Sequence, residues 1–228
     1  MTPSRTLKGS AAAVLAALVL SACGTHPGSA AVVGPDRISN AELDDVALAL
    51  CSAQGAGNAP GEAQELASRP ARQGALDVLI NAELSQQFGE SEGVRPDQEQ
   101  VSAALAANEQ NISGLPKEQR GIFRDTLRKF AEGQLMLIEI GRRSLTEKGA
   151  TNVTDQQAIS EGTRLRNAWA RKNVDVSVDP RYGEYSKGAL LAKSGSLSVP
   201  VSQSATDGDS PNPSAGWVAS LPASQKCS

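Results

Sequence analysis

The chain has 228 residues, a formal net charge of −3 and an aromatic content of 3%. An acidic chain lacks the surplus of cations that neutralises phosphates, which excludes generic nucleic-acid binding. The only histidine is His26, ahead of every predicted helix, so the body of the chain has no Ser-His-Asp triad, no Cys-His pair and no histidine-based zinc site. Neither a metal nor a cofactor is expected, and the core must be built from Leu, Ile, Val and Ala.

Arg5 and Lys8 precede the apolar run Ala11 to Leu20. That run is shorter than the roughly 20 residues a membrane-spanning helix needs. Basic residues, a short apolar stretch and then small residues make a secretory leader. Leu20-Ser21-Ala22-Cys23 resembles the lipobox of bacterial lipoproteins. The resemblance implies cleavage before Cys23, lipid on its thiol, and a chain anchored on the extracytoplasmic face of the cell membrane. The alternative is an ordinary leader with an incidental cysteine. Acyl chains in pairs or threes make such an anchor stable, where one alone is marginal. Residues 1–22 are then the leader and 23–30 a short tether. Loss of Arg5 and Lys8 leaves the mature chain two units more negative.

Ala30 to Val33 reads as a short strand, and Gly34-Pro35-Asp36 as a turn. Ser39-Asn40-Ala41-Glu42 is a capping box, with Ile38 and Leu43 placed for a hydrophobic staple. The first helix carries Leu43, Val46, Ala47 and Leu50 on one face and ends near Gly55. Pro70 opens a second helix with Leu76, Ile80 and Leu84 four apart, stopped at Gly89 to Gly93. Pro96 and Asp97 start a short third helix through Val101 and Leu105. Asn111 to Pro116 reads as a break.

The fourth helix is the long one, from about Lys117 to Lys148. Leu135 to Ile140 is apolar nearly all round and should be its buried centre. The basic run Lys117, Arg120, Arg124, Arg128 and Lys129 is either a phosphate site or, as the spacing of acids among it favours, a solvated face with ion pairs one turn apart. Thr154 to Gln157 is a second capping box and opens a fifth helix through Trp169 to Asn173. Val174, Val176 and Val178 then alternate with polar residues as in a strand with one buried face. From residue 186 the composition turns to Ser, Gly, Pro and Ala, and 186–228 is expected to be a disordered tail. After Cys23, the remaining cysteines are Cys51 and Cys227. An oxidising exterior permits a disulfide between them, tying the tail to the first helix; two independent thiols are the alternative.

The run AAVVGPDRISNAELDDV resembles the opening of the SurA N-terminal domain: a strand, a turn, an aliphatic residue and a Ser-capped helix, here Val32-Val33, Gly34, Ile38, Ser39, Glu42 and Leu43. Val174 to Gly183 is similar to the closing strand and turn of SurA-like lipoproteins of actinobacteria. The resemblance spans about residues 31–185. It implies a mainly α fold: a helical bundle with one long helix, closed by a two-stranded β ribbon from the two ends of the domain. Many such proteins carry a parvulin-type prolyl isomerase module before the final helix. Here that slot holds only Glu147 to Thr154, and the histidines of parvulin sites are missing.

The resemblance therefore implies a chaperone scaffold without the isomerase, binding unfolded or partly folded exported polypeptides. The expected groove lies between the first three helices and the long one, at Leu76, Leu79, Phe88, Ile122, Phe123 and Leu127, although plain core is the commoner role for each such residue. The alternative is a structural or adaptor lipoprotein docking one cell-envelope partner. An enzyme is the third reading, and would need a pocket of converging carboxylates with displaced titration.

Overall fold

The structure is a computed structural model that describes residues 27–56, 66–191, 200–210 and 212–227. It is mainly helical, with a small antiparallel sheet and one long helix. Strand β1 is Ser29–Val33 and β2 is Asp36–Ser39; helix α1 is Asn40–Ala56 and α2 is Ser68–Ser91. Helices α3, Gln98–Ala107, and α4, Glu109–Gly114, precede the long α5, Lys117–Glu147, and then α6, Asp155–Asn173. Strands β3, Val176–Val178, β4, Glu184–Ser186, and β5, Ala189–Leu191, follow, with α7, Gln203–Asp209, and α8, Ala215–Ser220, toward the C-terminus.

The two ends of the domain meet in one sheet. β1 pairs antiparallel with β3, Ala31 opposite Val178 and Val33 opposite Val176. The expected ribbon lacked a strand: β2 pairs on the other side of β1, so the sheet has three strands in the order β2-β1-β3. Gly34 makes the turn between β1 and β2 at φ +58°, a conformation glycine adopts without a Cβ penalty. Ala30, Ala31 and Val33 of the central strand are buried against Leu76, Ile80 and Leu84 of α2. The alternating valines of β3 pack on the edge of the same cluster.

Both predicted cap residues cap their helices, and the second closes a full capping box. The Glu42 amide donates to Ser39 Oγ at 3.0 Å, and Ile38 and Leu43 are buried beside it. Thr154 and Gln157 cap α6 reciprocally. Asp97 caps α3 by accepting from the Glu99 amide, so that helix starts at Gln98, two residues later than Pro96 suggested. The stretch read as a break contains α4, because Ile112 is fully buried with Leu115 against Ala49 and Phe123. A single apolar residue among polar ones gives no periodic signal, and only the neighbours supply the reason to coil.

Helix α5, about 46 Å long, runs against α1, α2 and α6. It meets α6 backbone to backbone. A Cβ on Gly141 would lie 2.7 Å from the Gly162 nitrogen and overlap the Ala158 carbonyl oxygen; one on Gly162 would overlap the Leu137 carbonyl. The link from α5 to α6 is only residues 148–154. Among the described residues no helix is long and apolar enough to cross a membrane.

The expectation of a disordered tail fails over the described part of 186–228. β4 and β5 form a hairpin, and the Leu190 amide donates to Asp77 Oδ1 on α2 at 2.7 Å. Farther on, Cys227 is disulfide-bonded to Cys51, with Cα atoms 5.5 Å apart. The Cys227 amide donates to the Leu66 carbonyl, Lys226 bridges Ala67, and Arg69 holds the Gly208 carbonyl and Asp209. Val218 is buried. Composition alone said too little surface was available to offset ordering; the covalent tie removes much of that entropy cost by closing the chain end onto α1.

Candidate functional site

A groove of 320 Å³ opens between α1 and α5, floored by α2. Its apolar floor is Val46, Leu79 and Ile122. Glu42 and Asp45 border it from α1, and Asp125 and Lys129 from α5. The Ser39 cap fixes where α1 starts, and so which of its faces presents Glu42 and Asp45 one turn apart.

The rim is acidic, with three carboxylates against one ammonium. Lys129 Nζ lies 3.1 Å from Glu83 and 3.7 Å from Glu42. Burial works against its charge, but the hydrogen bond and negative charge of Glu83, helped by Glu42, outweigh it and push its pKa up. Lys129 is therefore held as a fixed, engaged cation. Asp125 pairs with Arg128 at 2.9 Å, and Thr126 turns its hydroxyl back to the Ile122 carbonyl. Asp45 is exposed and has no ion pair among the described residues. The groove thus offers an apolar floor with free negative charge on one lip.

Of the six residues expected to line a groove, the structure brings Leu79 and Ile122 together in this one. Leu76 is in the main core, to which the floor residues Leu79 and Val46 also belong, their edges alone reaching the groove. Phe88 belongs to a separate cluster with Leu137 and Ile140, its ring 5.5 Å from that of Trp169. Phe123 is buried with Ala49, Ile112 and Leu115, and Leu127 packs on that cluster. These four are packing residues. The helical stripe identified them as inward-facing, but which inward positions meet solvent depends on where α1 and α5 part. Val46, Glu42, Asp45, Asp125 and Lys129 were missed for the same reason, although the Glu42–Asp45 spacing across one turn was visible.

Three of the five cations of the basic run on α5 form ion pairs, Arg124 with Glu109, Arg128 with Asp125 and Lys129 with Glu83, and Arg120 donates to the Leu115 carbonyl at 2.9 Å. Only Arg128–Asp125 is a pair one turn apart; the other two pairs reach across to neighbouring helices. Among the described residues no group of three or more His, Cys, Asp or Glu is arranged to hold a metal ion. Where a carboxylate's titration is displaced, it is displaced downward. Hydrogen bonds from Arg164 and Lys148 do so for Glu161, Arg181 for Asp179, and the backbone amide of Glu99 with Gln100 for Asp97. A general acid needs the opposite shift. Cys23 and the leader lie outside the described residues.

Comparison of the chain with protein-family models, curated proteins and solved structures returned no match.

Proposed function

We propose that this chain is a lipid-anchored extracytoplasmic protein that holds apolar segments of unfolded or partly folded exported polypeptides, without isomerase activity. The observation that carries the reading is the α1–α5 groove, where the partly exposed Ile122 meets the edges of the buried Val46 and Leu79 between lips that carry Glu42, Asp45 and Asp125. Such a groove takes one or two apolar side chains, and the net negative charge of its rim, Asp45 above all, attracts flanking lysine or arginine. The attraction is screened by salt, which keeps exchange fast. The Leu-Ser-Ala-Cys23 sequence supports the anchor, and the resemblance of the two strand-bearing ends to SurA-like lipoproteins supports the client class. The short α5–α6 link leaves no place for a catalytic module between them.

The test is aggregation of a chemically unfolded model client in the presence of the purified chain. Suppression at molar excess, weakened by Ile122→Asp, is the expected result. No suppression at any ratio removes the proposal. The modest groove volume favours a second reading, an adaptor with one partner. A pull-down that returns one stoichiometric protein selects the adaptor, and many weakly held clients select the holdase.

A further inference from the structure

The β4–β5 hairpin closes over a cavity of 290 Å³ that lies apart from the α1–α5 groove. Ala170, Val174, Val176 and the ring of Tyr185 form its apolar wall. The Tyr185 hydroxyl is engaged elsewhere, donating to Asn81 Oδ1 at 3.1 Å.

One polar group at this wall is held in a fixed orientation. Arg166 is only 5% exposed and has no carboxylate within ion-pair distance among the described residues. Its Nη1 donates to Ser85 Oγ at 3.1 Å and to the Asn81 carbonyl at 3.3 Å. Its Nε and Nη2 both donate to Asn167 Oδ1, at 3.1 and 2.8 Å. Reversing the Asn167 amide would set its NH2 against a guanidinium, so the oxygen must face Arg166. The Asn167 nitrogen then lies against Gly188 at the cavity wall, with no acceptor among the described residues. It is a donor held in a fixed direction at the cavity wall.

Two cations flank that donor. Arg171 and Lys187 line the cavity, and neither has an ion pair among the described residues. The acids nearest in sequence, Asp175 and Glu184, are exposed, and Asp77 of α2, whose charge acts on Arg166 and Tyr185, is engaged by the Leu190 amide and does not line the cavity. Lys187 also sits in the left-handed region at φ +54°, followed by Gly188 at φ +91°. This two-residue turn favours Asn-Gly, and a lysine in its first position carries a backbone cost that asparagine avoids. What the lysine supplies in return is charge at the mouth of the cavity.

We propose that this cavity binds a carboxylate borne on a short apolar chain. The Asn167 amide, Lys187 and Arg171 receive the anion, and Ala170, Val174, Val176 and Tyr185 receive the chain. The site stands independently of the α1–α5 groove, and its failure leaves that reading unchanged.

Calorimetric titration of the purified full chain tests it, with hexanoate against hexanamide and a short valine-ending peptide as free acid against its C-terminal amide. The acids bind and the amides do not. Lys187→Asn installs the residue the turn prefers, so the melting temperature holds or rises while hexanoate binding weakens about tenfold or more, as loss of a charged hydrogen-bond donor implies. Lys187→Arg retains binding. Asn167→Asp gives Arg166 a charged acceptor at the same place, keeps the fold, and turns an oxygen toward the ligand, so binding is lost. Tighter binding of the peptide acid assigns the natural ligand to polypeptide C-termini; tighter binding of hexanoate assigns it to free fatty acids; both uphold the site. Equal binding of acids and amides, no binding at millimolar concentration, or unchanged binding in the folded Lys187→Asn and Asn167→Asp variants overturns it.

Discussion

Helix α6 meets α5 backbone to backbone, whereas residues 200–227 meet the body through one covalent bond and a few polar contacts. At Gly141 and Gly162 there is no room for even a methyl group, and the atoms in the way are carbonyl oxygens that cannot rotate aside. In the C-terminal segment Val218 is the only buried large side chain among the described residues, and Arg69, Ser68 and the Cys51–Cys227 bond do the holding. The first region is specified by shape and the second by a tether. Their responses to mutation should differ accordingly.

The largest effect is expected at the helix contact. Gly162→Val must part α5 from α6 or unwind a turn, and overpacking of this kind against backbone costs about 3 kcal/mol or more. The urea midpoint should fall sharply and cooperatively; a variant that unfolds at the parent midpoint would remove the close approach from the account. Cys227→Ser should act differently. A disulfide typically contributes about 2–4 kcal/mol, but here its loss frees one end of the chain and leaves the α1, α2, α5 and α6 contacts in place. Hydrogen exchange should show protection lost across 200–227 and kept in α5 and α6. Loss of protection throughout would mean that the tether organises the whole domain.

A smaller change sharpens the helical side of the comparison. Thr154→Ala removes the reciprocal cap at the start of α6 and should cost about 1 kcal/mol, seen as a lowered melting temperature. The smallest is electrostatic. Glu161 on α6 accepts from Ser144 and Lys148 at the end of α5 and from Arg164, and these bonds hold its carboxyl well below the usual carboxylate range. Its contribution is fully present above the unfolded-state value of about 4.3 and disappears as pH falls from there toward the folded-state value. The melting temperatures of the parent and Glu161→Gln should therefore differ at neutral pH and converge in acid. A constant difference would assign Glu161 no such role.

Local signals in the chain translated directly into structure. Ser39 and Thr154 each sit three residues before a Glu or Gln, and each caps a helix, because a capping box involves only one turn of chain. The alternation of Val174, Val176 and Val178 announced a strand, and its pairing with β1 closes the domain. Features that depend on distant neighbours were not legible. The β4–β5 turn uses Lys187-Gly188, and lysine is not a residue that marks such a turn. The C-terminal segment is tied down at Cys227, whose partner Cys51 is 176 residues away. The groove is legible only in part: Leu79 and Ile122 stood out as apolar, but Glu42, Asp45 and Lys129 gain meaning only once α1 and α5 lie side by side.

The central claim is that the α1–α5 groove receives apolar segments of unfolded chains. Nuclear magnetic resonance of the isotopically labelled chain, titrated with an unlabelled, permanently unfolded client, tests it most directly. Shifts are expected to concentrate at Val46, Leu79, Ile122, Asp125 and Thr126, weakened by salt and absent in Ile122→Asp. Shifts confined to residues 200–227, or none at saturating client, would contradict it.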